Sequence, residues 1–128
     1  MTTSRTPFRI QRLPQSIGEN ETDLQIGAAF PITGDGMNLR IDLRVSGVVV
    51  ASGISIEVQD SLVDDGAGEP LWRDVGGLAT TVTTDGLVSL NSGSSLQSSG
   101  PLGSIARLIV TTGAGDELVV EEVRTIQA

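Results

Sequence analysis

The chain has 128 residues and a formal charge of -8, with 16 acidic residues against eight basic ones. All eight basic residues are Arg, and the sequence contains no Lys, His, Cys or Tyr. This inventory excludes disulfides, thiolate or imidazole metal sites, and catalysis through His, Cys, Lys or Tyr side chains. The length corresponds to one domain, and the acidic balance argues against nucleic acid as a direct partner. We therefore expect a structural or interaction protein, not an enzyme, without cofactor or metal.

Apolar residues make up 38% of the chain, but only three are aromatic, so the core is expected to be aliphatic. No apolar run approaches the roughly 20 residues that span a membrane. The N-terminus also lacks the apolar segment of a secretion signal. We expect a soluble protein that is made in the cytoplasm and has no membrane partner.

Residues 1–18 contain three arginines and no acidic residue, although the rest of the chain is strongly acidic. Hydrophobic and polar residues alternate there between two prolines, as in a strand added to the edge of a sheet. The sequence thus predicts an extended basic arm over residues 1–18 and a β-domain over residues 19–128; a frayed terminus is the alternative. If the arm docks on a partner, removing it should leave the fold intact, and its contact residues are expected to be Arg5, Phe8, Arg9, Ile10, Arg12 and Leu13.

The following segments read as short strands. Apolar residues recur at every second position in Asn38–Val45 and in Ile54–Gln59, which is the pattern of half-buried strands. Leu24, Ile26 and Ala28 predict another strand before Pro31. The apolar run Val48–Ala51 lies between two glycines and predicts a strand that is buried on both faces, or a barrel corner.

Two turn signals occur further along the chain. Thr84-Asp85-Gly86 separates the β-prone segments Leu78–Thr83 and Leu87–Leu90, and predicts a hairpin. The glycine-bearing segment 113–116 predicts a second hairpin, between strands at Ile105–Thr112 and Glu117–Ile126. No window of more than ten residues has a helical period. We predict an all-β fold, namely a single antiparallel β-sandwich or jelly-roll-like domain. Periodicity does not reveal the order of the strands in the sheets.

Candidate chemical sites are few. The acidic segment Asp60–Glu69 offers oxygen ligands for an irregular calcium site built from Asp60, Asp64, Asp65 and Glu69, but its spacing does not match an EF-hand, and an ordinary solvated turn is the simpler interpretation. Neighbouring Glu121 and Glu122 are expected to point to opposite faces of a strand, so they cannot act as a pair. The single Trp72 is expected to pack in the core, with Arg73 and Asp74 at the surface.

Two sequence runs resemble a module of tailed-phage structural proteins. The first joins a strand ending in Gln59-Asp60-Ser61, an acidic glycine-bearing loop and Trp72-Arg73-Asp74-Val75. The second is the segment 106–116, followed by a closing strand. The resemblance covers roughly residues 54–126. It implies a head decoration (cement) protein, a small β-protein, often jelly-roll-like, that binds the outside of the expanded capsid.

Such a protein staples neighbouring subunits of the major capsid protein without catalysis, commonly as a dimer or trimer, and in several families an N-terminal arm adds a strand to a capsid loop. The expected partners are thus the major capsid protein and further copies of the chain, and the expected location is the outer surface of the virion. Two alternatives stay open. One is a head–tail connector, tail-tube or fibre-associated protein of the same β type, and the other is a carbohydrate- or ligand-binding β-module.

Overall fold

The computed structural model describes residues 8–32, 39–62, 70–91 and 103–127. These residues contain eight strands and no helix, which confirms the all-β prediction, and accordingly no membrane-spanning helix occurs among them. The strands are β1 (Phe8–Ile17), β2 (Leu24–Pro31), β3 (Leu39–Val49), β4 (Ile54–Ser61), β5 (Arg73–Val82), β6 (Gly86–Asn91), β7 (Ile105–Thr112) and β8 (Glu117–Gln127).

The strands form two four-stranded antiparallel sheets. The first sheet has the order β1-β8-β3-β6 and the second has the order β2-β7-β4-β5. The first strand therefore pairs with the last, the second with the seventh, the third with the sixth and the fourth with the fifth. This pairing is that of a long hairpin rolled up into a sandwich, which is the jelly-roll topology.

The core lies between the two sheets and is aliphatic, as the composition predicts. Alternation along each strand turns one set of side chains inward, so that Ile41 and Leu43 of β3 face Ile56 and Val58 of β4 across the sandwich without solvent exposure. Phe30 is the only aromatic side chain among the buried core residues that the structure describes. At roughly 25 cal/mol per Å² of apolar surface removed from water, these aliphatic side chains are the main stabilising term.

The chain reverses direction at both predicted turns, but the strands on either side of each turn do not pair with each other, so both predicted hairpins are wrong. β5 and β6 flank the turn at Asp85 but belong to different sheets, and the same is true of β7 and β8 around Gly113–Asp116. Each turn carries the chain from one sheet to the other across an end of the sandwich. At the first turn, the Asp85 carboxylate accepts a hydrogen bond from the Val48 N–H at 2.8 Å.

Of the two predictions for Val48–Ala51, the strand buried on both faces is wrong; the run leads from β3 to β4, which belong to different sheets. Val48 and Val49 end β3, and Val50 and Ala51 form the loop to β4. Val49 is 46% exposed and Val50 is 42% exposed. A positive φ of 58° at Gly47 redirects the backbone just before this run, so the alternation that buries Val45 does not continue into it.

The segment predicted as an arm falls into two parts. Residues 1–7 lie outside the described residues, and Phe8–Ile17 is strand β1, an edge strand of the first sheet that pairs with β8. A register shift between Arg12 and Gln15 accommodates Pro14, which cannot donate to the ladder.

Two glutamines of β1 close the corner between the sheets. The Gln11 amide accepts a hydrogen bond from the Ala28 N–H at 2.8 Å and donates one to the Ala28 carbonyl at 3.1 Å. Gln15 accepts one from the Gly27 N–H and donates one to the Gln25 carbonyl. These side chains bond part of the β2 backbone in the way that a neighbouring strand would, and so cover the middle of that strand.

Candidate functional site

The outer surface of the first sheet carries four of the chain's eight arginines. Residues 41, 43 and 45 of β3 point into the core, so the residues between them point outward. The pairing of β3 with its neighbours places outward side chains of β1, β8 and β6 on the same surface. We call this surface the arginine face; it consists of Ile10, Arg12, Arg40, Asp42, Arg44, Leu87, Ser89, Glu122, Arg124 and Ile126.

Two carboxylates hold three of these guanidinium groups in place. Asp42 binds Arg40 within its own strand, with N–O distances of 3.0 and 3.2 Å. Glu122 lies between Arg44 at 3.3 Å and Arg124 at 3.1 Å. Ser89 donates a further hydrogen bond to Asp42 at 2.6 Å. The guanidinium groups are therefore positioned before any partner arrives.

The arginines of this face are exposed and the carboxylates are recessed. The Arg44 side chain is 64% exposed, whereas that of Glu122 is only 12% exposed. Burial opposes the charged form of Asp42, but hydrogen bonds from Arg40 and Ser89 outweigh it and lower the pKa of that carboxyl. The hydrogen bond from Arg124 lowers the pKa of Glu122. Both acids are consequently ionised at neutral pH, and the surface presents mainly guanidinium N–H donors.

A bulge in β8 changes the expectation for the neighbouring glutamates. Arg44 pairs with Glu122 and the next residue of β3 pairs with Val120, which leaves Glu121 as the extra residue. Glu121 accepts a hydrogen bond from outward-facing Ser46 at 2.7 Å, so both carboxylates lie on the outer side of the sheet. The prediction that they point to opposite faces is wrong, because a bulge interrupts strand alternation.

The structure divides the predicted contact residues of the arm. Ile10 and Arg12 pair with Arg124 and Glu122 of β8 and belong to the arginine face. Arg9 is exposed but lies on the other side of β1, and Leu13 is partly buried against the core. Phe8 pairs through its backbone with Ile126, and Arg5 lies outside the described residues.

The outer surface of the second sheet has a different, largely internally bonded set of polar groups. Gln59 donates a hydrogen bond to Asp74 at 2.8 Å and accepts hydrogen bonds from Arg107 at 2.7 and 2.9 Å. Burial, followed by the charges of Asp74 and Asp23, raises the pKa of Glu57. With Glu57, Asp74 and Asp23 against the single cation Arg107, this group of side chains is negatively charged on balance, in contrast to the arginine face.

Trp72 belongs to this second surface and not to the core, so the predicted core position is wrong. It immediately precedes β5 and is partly exposed, and the Arg107 guanidinium lies 4.4 Å from the centre of its ring. Such a cation–π contact is worth about 0.5–1 kcal/mol at an exposed site. Arg73 and Asp74 are exposed, as expected.

Trp72 fluorescence reports on this contact because it is the only indole in the chain. Replacing Arg107 with Ala should shift the emission to the red, since the ring loses its cover and gains water contact. The matched control is Arg40→Ala on the other sheet, which should leave the spectrum unchanged. Identical spectra for the Arg107 variant and the wild type would contradict the stacked arrangement.

Asp60, the first acid of the predicted calcium segment, is used by the fold itself. It is 1% exposed and binds Arg73 at 2.7 and 3.2 Å. It also accepts a hydrogen bond from the Gly103 N–H at 2.7 Å. The other three acids of that segment lie outside the described residues. No group of three or more metal-ligating side chains occurs within the described ranges.

At the opposite end of the sandwich, Asp116 binds the backbone of two connecting segments, the β3–β4 loop and the β7–β8 turn. Its carboxylate accepts hydrogen bonds from four backbone N–H groups, those of Ala51, Ser52, Gly53 and Gly113, at 2.6 to 3.0 Å. The hydrogen bond from Ser52 leads the effects that lower the pKa of Asp116 to about 2. This carboxylate joins the β3–β4 loop to the β7–β8 turn, and sequence reasoning missed it.

Sequence reasoning also missed three residues of the arginine face. The alternation in residues 38–45 places Arg40 and Arg44 outward, but it does not show which strands lie beside them. Arg124 joins them only because β8 lies between β1 and β3. The alternation within each strand therefore indicates which arginines point outward, but nothing in the sequence indicates which strands are neighbours.

Together these features define a jelly-roll β-sandwich with an arginine-rich face on the first sheet, a more acidic face on the second sheet and ends held by the buried carboxylates of Asp60 and Asp116. Comparison of the chain with protein families, with curated proteins and with solved structures finds no match.

Proposed function

We propose that this chain is a structural protein of a tailed-phage particle that binds the outer surface of the head and joins neighbouring subunits of the major capsid protein. The arginine face is the observation that carries the proposal. It combines fixed guanidinium groups with exposed aliphatic side chains, and protein interfaces are enriched in arginine and depleted of lysine and acids. The jelly-roll topology is also in keeping with it, because viral capsid domains commonly use that fold.

The roles of four buried or recessed carboxylates support a non-enzymatic function. Asp60 and Asp116 bind backbone and arginine groups that hold the loops, and Asp42 and Glu122 bind arginines. Each of these carboxylates has a structural task. The proposed partners are the major capsid protein and further copies of this chain, and the proposed location is the virion surface, where symmetry repeats a modest contact many times.

The fold changes how the arm would take part. β1 already pairs with β8, and glutamines close the corner toward β2. Deleting residues 1–18 would remove an edge strand from the first sheet, so such a deletion would test stability together with binding. Ile10 and Arg12, which point outward from β1, are the residues through which we propose that this segment contacts the capsid.

The test is the copy number of the chain in purified particles of the phage that encodes it, measured by quantitative mass spectrometry against the major capsid protein. A cement protein should be present at an equimolar ratio, or at a simple fraction repeated over the shell. A number of copies that corresponds to a single ring would instead indicate the connector or tail. Absence from the particles would overturn the proposal.

A further inference from the structure

We infer that the arginine face is the docking surface of this protein and that its partner is an acidic protein surface, recognised through carboxylate groups. The inference rests on the proposed function for the identity of the partner, which would be an acidic patch on the outside of the major capsid protein. The chemistry of recognition follows from this chain alone.

The guanidinium groups of this face are suited to binding carboxylates. Arg40, Arg44 and Arg124 are each held by a recessed carboxylate and each have a side chain about half exposed or more. A guanidinium group has five N–H donors in a planar fork that matches a carboxylate, so each group retains donors for a partner. Because the side chains are already positioned, little conformational entropy is lost when a partner binds.

Exposed apolar side chains at the edges of this face favour a protein as the partner. Leu87 of β6 is 70% exposed and Ile10 of β1 is 37% exposed, and these residues lie at opposite edges of the arginine face. Between them, a shallow depression of about 480 Å³ is lined by residues of β3, β6 and β8, among them Arg44 and Leu87. Aliphatic edges around a charged centre favour a protein partner over a nucleic-acid backbone, which offers phosphates and little apolar surface.

The distribution of charge over the two faces favours binding of an acidic partner to the arginine face. The chain carries a formal charge of -8, yet four of its eight arginines lie on this side of the first sheet, against three carboxylates, those of Asp42, Glu122 and the neighbouring Glu121. On the opposite face, Glu57 and Asp74 repel an acidic partner, and the guanidinium group of Arg107 is bound to Gln59 and covered by the Trp72 ring. An acidic surface would therefore be oriented onto the arginine face as it approaches. Two copies of the chain, both strongly negative, repel each other overall, so a second copy is the less favoured occupant.

The key variant removes two guanidinium groups without adding bulk. In the double variant Arg44→Ser/Arg124→Ser, binding to heads assembled without this chain should weaken about tenfold or more, because two charge-assisted contacts are lost. The matched control is Ser55→Glu/Thr83→Glu, which changes the net charge by the same amount at exposed positions away from the arginine face. It should bind heads nearly as the wild type does. Equal binding by wild type, variant and control would overturn the inference and leave the proposed function standing.

A second measurement does not depend on heads. Titration of the ¹⁵N-labelled protein with poly-L-glutamate should shift the side-chain N–H signals of Arg40, Arg44 and Arg124, and the shifts should diminish at high salt. The Arg44→Ser/Arg124→Ser variant should need about tenfold more polymer for the same saturation.

The failures of the two proposals are distinguishable. If the wild type does not bind heads but poly-L-glutamate shifts these arginines, the proposed function fails and the recognition chemistry stands. If the polymer gives no shifts, shifts confined to the second sheet, or weaker binding than a short DNA duplex, the inference fails. Concentration-dependent dimerisation that the double variant abolishes, measured by sedimentation, would identify a second copy as the occupant and would also overturn it.

Discussion

Replacing Asp116 with Asn should lower the melting temperature of this protein by roughly 10 °C, the largest effect we expect from a single isosteric change. The carboxylate accepts four backbone hydrogen bonds and is 1% exposed. An amide of the same shape has no charge and turns an NH₂ group toward at least one N–H donor. Those donors belong to the β3–β4 loop and the β7–β8 turn, which the Ser52 hydroxyl also joins through a 2.7 Å hydrogen bond to the Ala114 carbonyl, so N–H groups of both segments lose their acceptor at once.

The matched control for this change is Asp85→Asn. Asp85 is exposed and accepts a single backbone hydrogen bond, from Val48 at 2.8 Å. Its replacement should lower the melting temperature by only roughly 2 °C. Thermal unfolding followed by circular dichroism measures both variants. Equal losses would show that the number of backbone donors and the burial of Asp116 do not determine its contribution.

The pKa of Asp116 adds a pH dependence of known sign. Its folded-state value of about 2 lies below the ordinary value of 3.8, so the ionised carboxyl stabilises the folded state. This contribution is complete above the ordinary value and is lost as the pH falls from there through about 2. Unfolding of the wild type should therefore become markedly easier across that window. The difference in stability between the wild type and Asp116→Asn should shrink over the same range, and a constant difference would contradict the assignment.

Strand positions and inward-facing residues were predictable from the sequence because both depend on local alternation. The apolar positions of residues 39–45 and 54–58 are buried, as alternation predicts, in β3 and β4. Strand pairing was not predictable, because an Asp-Gly turn marks a reversal of the chain whether the next strand pairs beside the last one or crosses to the other sheet. In a jelly roll, every described pairing except β4–β5 joins strands that are distant in sequence.

The residues that the sequence misplaced share a physical cause. Trp72 is large and apolar, which favours burial, but it precedes β5 on the outer side of the second sheet, where Arg107 covers its ring. Glu121 and Glu122 would point to opposite faces in a regular strand, but Glu121 is the extra residue of a bulge. Asp116 reads as part of a polar turn, but three of its four backbone partners come from a loop more than 60 residues away. In each case the deciding contact is made by a residue remote in sequence.

Asp60→Ala should destabilise the fold by about 2–3 kcal/mol, the second large effect that we expect. Asp60 is buried and binds both Arg73 and the Gly103 N–H. The variant leaves that N–H without its acceptor at a point where the Gly103 backbone packs so closely against the Ser61 carbonyl that an added Cβ would collide with it. The end of the sandwich where β4, β5 and β7 meet then loses its central contact.

The matched control is Asp42→Ala, because Asp42 also binds an arginine but lies on the open surface of the first sheet. Surface ion pairs contribute about 0–1 kcal/mol, so this variant should lose much less stability. Urea unfolding measures both free energies, and hydrogen exchange at Gly103 gives a local readout that should accelerate in the Asp60 variant alone. Equal destabilisation by the two variants, with unchanged exchange at Gly103, would mean that Asp60 acts as an ordinary surface ion-pair partner and that the loops at its end of the sandwich are held by other contacts.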